Sequence, residues 1–216
     1  MLEAVERRSP RARMTGSERR EQILGVARAI FAEKGYEATS VEEIAQRAGI
    51  SKPVVYEHFG GKEGLYAVLV DREVRALLDG ISDALVTDHP RAKLERAALA
   101  LLAYIEEEPD GFRILTRDSP SMSATGTFAS LIGDIATQVE YILADEFRQR
   151  GYDPKLAPIY SHALVGMVAL VGEWWLEAGK PKRDVVAAHL VNLAWNGLRD
   201  LEPRPERVSV KPTATP

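Results

Sequence analysis

From residue 17 to about 201, apolar residues recur every three or four positions, and no stretch alternates apolar and polar residues over a strand's length. The spacing predicts helices throughout. Ile23, Leu24, Ala27, Ile30 and Phe31 share one face of a helix over 18–35. Two short helices are predicted between residues 39 and 61. A long helix follows from Lys62 to about Val86, and another from Pro90 to about Glu108. Pro109, Asp110 and Gly111 are expected to break the latter before a short helical piece over 112–117. Residues 118–127 are rich in Ser, Thr and Gly and read as a loop. Ile132, Ile135, Val139, Ile142, Leu143 and Phe147 align on a helix over 128–150. Helices over 153–178 and 182–201 complete an all-α chain of about nine helices.

The stretch 39–59 carries the sharpest local signals. Thr39 and Ser40 precede an apolar-periodic run, with Glu42 and Glu43 three residues after each, so a capping box starts a helix here. Ala45 is small where two helices must cross. Gly49 stands where the chain turns. Ile44, Ala48, Ile50 and Val55 form the apolar seam of the pair. Ser51 is expected to cap the second helix, with Pro53 in its first turn, and Gly60 and Gly61 end it. Two short helices joined by a tight turn are the layout that delivers a helix to the DNA major groove. Lys52, Pro53, Val54 and Glu57 can face that groove. Only Lys52 and Glu57 can hydrogen-bond a base edge, to guanine and cytosine respectively, while Pro53 and Val54 offer apolar contact to a thymine methyl. Much of the sequence preference is therefore expected from DNA shape.

Taken in order, the helix before Gly35-Tyr36, then Thr39-Ser40-Val41, Ile44-Ala45, Ala48-Gly49-Ile50-Ser51, Val54-Val55-Tyr56-Glu57-His58-Phe59 and Lys62-Glu63-Gly64-Leu65-Tyr66 closely resemble the DNA-binding domain of the TetR family of bacterial repressors. The resemblance covers residues 17–66. It implies phosphate contacts from Tyr56, His58, Lys62 and the Thr39 or Ser40 helix start, with Ser51 at the next helix start. It also implies a homodimer on double-stranded operator DNA, and a regulatory domain that binds a small-molecule effector. The expected division is a disordered basic arm over 1–16, a helix-turn-helix domain over 17–64, an effector-binding and dimerisation domain over 65–201 and a disordered tail over 202–216.

Tyr104, Phe112, Phe128, Ile132, Tyr141, Met167, Val171, Trp174 and Trp175 lie on the helices that would line an effector cavity. Trp174 and Trp175 stand about 100° apart on a helix, so at most one faces inward. Glu173 and His162 are the ionisable exceptions in otherwise apolar stripes, which points to a large apolar effector. Residues 104–115, 164–168, Trp174-Trp175-Leu176 and Lys180-Pro181 look like an actinobacterial subgroup that includes regulators of fatty-acid synthesis sensing long acyl-CoA. That resemblance implies an acyl chain in the apolar core. For the dimer, Ala187, Ala188, Ala194 and Gly197 permit close helix approach, and Val186, Leu190, Leu193 and Leu201 supply apolar area.

Composition narrows the alternatives. A net charge of −4 does not advertise nucleic-acid binding, but Arg7, Arg8, Arg11, Arg13, Arg19 and Arg20 crowd the leading edge against Glu18 alone. The absence of cysteine excludes disulfides and thiolate metal sites. The strongest apolar run, 163–176, is interrupted by Gly166, Gly172 and Glu173, and the leader is not apolar; neither a membrane partner nor a signal peptide is expected, and a cytoplasmic place is. Gly60-Gly61-Lys62-Glu63 is similar to a P-loop fragment, but no strand precedes it and Glu63 replaces the required hydroxyl. His58, His89, His162 and His189 have no metal-ligand spacing. Neither an enzyme, a metal nor a cofactor is expected beyond the apolar effector. The alternative is a helical ligand-binding or adaptor protein without operator-specific DNA binding, which would carry an eroded hairpin.

Overall fold

The computed structural model describes residues 14–86, 89–116, 128–202 and 205, and of residues 128–131 the backbone alone. The expected loop over 118–127 lies outside the described residues, as do Arg7, Arg8, Arg11 and Arg13 of the basic arm and most of the tail. The described chain is all-α, with nine α-helices. It forms two compact units that divide between Asp71 and Arg72.

The first unit holds α1 (Gly16–Lys34), α2 (Val41–Arg47), α3 (Lys52–Phe59) and the start of α4 (Lys62–Ala84). Helix α1 begins two residues before the expected start. Thr15 accepts the Glu18 N–H at 3.2 Å while the Glu18 carboxylate accepts the Thr15 N–H at 2.7 Å, a complete capping box that sequence reading passed over. The core is Ile23, Leu24, Ala27, Ile30 and Phe31 of α1 against Ile44, Val55 and Leu65, all 2% exposed or less. Tyr66 meets the rings of Phe31 and Tyr36 edge-on, each at 4.9 Å between centroids.

Two glycines are dictated by geometry. Gly49 takes φ +64° at the turn between α2 and α3, a conformation that side chains other than glycine's disfavour. At Gly64 the constraint is space. A Cβ there would stand 2.0 Å from the Phe59 carbonyl oxygen, so the first turn of α4 can lie against the end of α3 only without a side chain.

The second unit comprises the rest of α4 with α5 (Pro90–Glu107), α6 (Pro109–Thr116), α7 (Phe128–Arg150), a 3-10 turn (Pro154–Leu156), α8 (Ala157–Ala178) and α9 (Arg183–Arg199). The most extensive pairings are α7 with α8 and α5 with α9. The break after α5 falls at Glu108, not across Pro109–Gly111 as expected. Those three residues open α6. Proline at a helix start forfeits an N–H that has no partner there, and Asp110 in the first turn faces the positive end of the helix dipole. One buried polar pair joins α4 to α5: the Tyr104 hydroxyl donates to the Glu73 carboxylate at 2.6 Å.

Helix α9 corrects the expected dimer face. Val186, Ala187 and Leu190 are buried within the chain itself, while Val185, Ala188, Leu193 and Gly197 are exposed. Apolar residues occur on both faces of α9, so periodicity alone did not say which turns inward. Helix α8 carries only two acidic residues, Glu173 and Glu177, and the span Pro154–Ala178 meets the length and composition of a membrane span, as a core helix also does. Its apolar side chains point both ways. Ala157, Ala169 and Trp175 are buried, whereas Ile159, Leu170 and Trp174 are 64%, 65% and 57% exposed along one helical stripe.

Gly64→Ala is expected to destabilise the protein by about 3 kcal/mol or more, because the obstacle is a backbone oxygen that cannot rotate away. Chemical denaturation measures it; a Gly64→Ala variant as stable as the parent would refute the close approach of α3 and α4.

Candidate nucleic-acid interface and effector cavity

The hairpin of α2 and α3 is set by its own caps and by α1. Ser40 accepts the Glu43 N–H at 3.2 Å and is the side-chain cap of α2. Thr39 does not share that role. Its hydroxyl donates to the Gly35 carbonyl at 2.7 Å, and the residue is 3% exposed. Ser51 stands at the N-cap of α3 without a capping hydrogen bond, contrary to expectation. Pro53 has no N–H to offer, and the Val54 N–H bonds the Ser51 carbonyl at 3.1 Å instead. From α1, the Gln22 amide donates to the Ala48 carbonyl at 3.0 Å and the Arg20 guanidinium to the His58 carbonyl at 2.8 Å. Arg20 also lies 4.4 Å from the Phe59 ring centroid. Sequence reading placed Arg20 among the basic residues of the leading edge; the fold uses it as a brace.

On the outer surface of α3, Ser51, Lys52, Pro53, Tyr56 and Glu57 are exposed, and Val54 and His58 are half-buried. Val55 is fully buried, as a core residue should be. The cations of this region are engaged within the protein. Lys52 forms an ion pair with Glu42 of α2. Arg47 binds Glu33 at 3.1 Å and Glu43 at 2.9 Å, and Lys34 binds Glu43 at 2.6 Å. Lys62 donates to the Tyr36 carbonyl at 3.0 Å and sits 4.1 Å over the Tyr36 ring. These pairs move protonation equilibria. The Lys52 hydrogen bond holds the Glu42 carboxyl below its ordinary range and raises Lys52 in turn. Glu43 is lowered first by Lys34 and then by Arg47. The Thr15 N–H lowers Glu18.

The second unit contains a cavity of about 410 Å³ between α4, α5, α7, α8 and α9. Its walls include Leu77 and Ile81 of α4, Leu101 of α5, Ile135 and Val139 of α7 and Val168 of α8. Of the expected lining residues, Phe112, Ile132 and Met167 face it. Tyr104, Tyr141, Val171, Trp174 and Trp175 do not. Tyr104 is committed to Glu73, and the buried Trp175 indole donates to the Pro181 carbonyl at 2.7 Å. Tyr141 is 73% exposed. The side chain of Phe128 lies outside the described residues. Trp174 and Trp175 part as helix geometry requires, one out and one in. Sequence reading favoured aromatic residues and so named only Ile132 of the aliphatic wall of α7, missing Ile135, Val139, Ile142 and Leu143 although their stripe was visible. It also missed Trp195 of α9, which lines the cavity and stacks on His89 at 6.4 Å. Lys93, Glu146, Gln149 and Arg150 bring polar groups to the cavity's edge, with Arg150 paired to Glu146 at 2.6 Å.

The family described as bacterial regulatory proteins, tetR family, matches residues 23–69, and the tetracyclin repressor-like C-terminal domain matches residues 80–209. The chain belongs to the TetR family. It is therefore a helix-turn-helix transcription regulator and not an enzyme, in a family whose members bind operator DNA as dimers and respond to small-molecule effectors. The transcriptional activator FasR of Mycolicibacterium smegmatis is 32% identical over 192 residues, covering 86% of this chain and 85% of FasR. A TetR-like regulator from Rhodococcus sp. RHA1 superposes with a TM-score of 0.74 at 26% identity, covering 87% of this chain and 99% of its own. AibR, solved with isovaleryl coenzyme A and operator DNA, shares the fold at a TM-score of 0.67 and 19% identity, over 82% of this chain and 97% of its own.

The lowered carboxyls fix the sign of an acid response. Their charged forms are favoured in the folded protein, so their stabilisation is complete above the ordinary value of 4.5 and is lost as pH falls through the lowered folded values. Thermal melts should place Glu43→Gln below the parent at neutral pH, with the two curves converging in acid. A gap that persists in acid would show that Glu43 does not act through its charge.

Proposed function

We propose that this TetR-family regulator represses transcription from a pseudo-palindromic operator, and that an apolar acyl ligand in the cavity of the second unit controls it. The cavity carries the reading. Its volume lies within the range of about 300–1,000 Å³ typical of small-molecule sites, and its walls are aliphatic and aromatic. Lys93 at its edge has no ion pair among the described residues and suits an anionic head group. AibR, which shares the fold, was solved with an acyl coenzyme A, and the resemblance of residues 104–115 and 164–168 to acyl-CoA-sensing regulators points to the same ligand class. The ligand is accordingly a long-chain acyl-CoA or a molecule of similar build, and the protein works in the cytoplasm.

On the DNA side, Lys52 and Glu57 read base edges, Pro53 and Val54 touch thymine methyls, and Ser40, Ser51, Tyr56, His58 and Lys62 hold phosphates. Residues 17–64 serve as the DNA-binding domain and 65–201 as the effector and dimerisation domain. The exposed stripe of Ile159, Leu170 and Trp174 on α8, with Val185 and Leu193 on α9, meets a second copy. The two hairpins of the dimer then sit about one turn of DNA apart. Ligand acts by favouring one of two hairpin spacings, which is all a ligand can do to such an equilibrium. The adaptor alternative fits less well, because the turn glycine, the Ser40 cap and the exposed Tyr56 are all in place.

Fluorescence anisotropy on the DNA upstream of the protein's own gene, with and without a long-chain acyl-CoA, tests both halves. Binding released by the acyl-CoA is expected. Binding indifferent to it would remove the acyl ligand, and binding strengthened by it would reverse the direction of control. Tyr56→Phe should weaken binding about equally on every sequence, since a phosphate contact carries no base information. Loss confined to one operator position would count against that role.

A further inference from the structure

Between Thr39 and Lys62 the hairpin carries three acids, Glu42, Glu43 and Glu57, and three bases, Arg47, Lys52 and Lys62. Each base already has a partner inside the protein. Arg47 is held by Glu33 and Glu43, and Lys62 by the Tyr36 carbonyl and ring. The pair between Lys52 and Glu42 differs in kind. It spans the two hairpin helices, and both its side chains remain accessible, at 46% and 64% exposure. Lys52 is the first residue of α3, on the surface that faces the groove. Glu42 is in the first turn of α2, two residues after the Ser40 cap.

We propose that Glu42 attenuates the DNA interface, acting as an internal substitute for phosphate that Lys52 must leave before it can contact DNA. The proposal rests on the reading of α3 as the groove-facing helix. On an arbitrary duplex, the phosphate that would attract Lys52 must compete with a carboxylate already bound to it, and that carboxylate also repels the backbone. The exchange of one anion for another gains little. Where a guanine offers its O6 and N7 to Lys52, a base contact is added to the exchange, and the lysine leaves Glu42 with a net gain. The cost of leaving Glu42 falls in full on the duplex that takes Lys52, so Glu42 lowers affinity for matched DNA at least as much as for an arbitrary duplex. The neighbouring Glu43 cannot take this part, because Lys34 and Arg47 hold it on the α1 side.

The test uses the full-length protein, an unselected random duplex, and a duplex that the parent selects from a random pool. Anisotropy titrations at several salt concentrations compare the parent, Glu42→Gln, Lys52→Ala and the double variant. Glu42→Gln should bind the random duplex about fivefold more tightly, in keeping with the modest strength of an exposed ion pair. Its salt slope should steepen by about one, because one more cation becomes available to phosphate. The selected duplex, which takes Lys52 from Glu42, should gain at least as much, so the ratio of the two affinities does not fall. In the Lys52→Ala background, the effect of Glu42→Gln should shrink by at least half. An equal effect in both backgrounds would reduce Glu42 to a simple negative charge and overturn the proposal. So would a Glu42→Gln variant that binds both duplexes as the parent does. Failure of the parent to select any duplex would instead overturn the reading of α3 and the proposal with it.

Discussion

A helix of seven residues and one of eight cannot persist alone in water, because nucleation costs more than so few hydrogen bonds return. The hairpin of α2 and α3 exists because α1 holds both of its helix ends. Gln22 takes the Ala48 carbonyl and Arg20 takes the His58 carbonyl, so one side chain closes the last turn of each helix. A cation at the end of α3 also meets the negative end of its dipole. The aim of α3 is therefore set from α1, by two side chains two residues apart in sequence. Gly64 completes the arrangement from the other side by letting α4 lie against the Phe59 carbonyl.

Much of this unit was legible in advance because its signals are local. Caps, a turn glycine and an apolar seam act within a few residues of one another, and Ser40, Gly49 and Val55 stand as those signals imply. The failures have separate causes. Arg20 is drawn to His58 by the tertiary fold, Ser51 loses its cap to the proline two residues on, and Thr39 bonds the Gly35 carbonyl four residues back. The ion pair of Lys52 with Glu42 spans ten residues and two helices, so no periodicity announces it.

The second unit was legible as helices and less so as surfaces. Helical periodicity places apolar side chains on a face, but α8 and α9 have apolar residues on more than one face. Only packing decides which face is interior. The same ambiguity governed the cavity. Large aromatic residues were the natural candidates for ligand contact, yet Trp175 and Tyr104 spend their polar atoms on the Pro181 carbonyl and the Glu73 carboxylate. A polar group that must be satisfied when buried ties its ring to the frame, and the aliphatic stripe of α7 is left to form the wall.

The outer stripe of α8 has a consequence for the life of the protein in the cell. On the dimer face proposed above, Ile159, Leu170 and Trp174 expose apolar surface that a second subunit covers. Stability then depends on how many copies are present, because the folded dimer is favoured by mass action and the lone subunit is not. The exposure of the lone subunit to proteolysis is then set by one side of one helix.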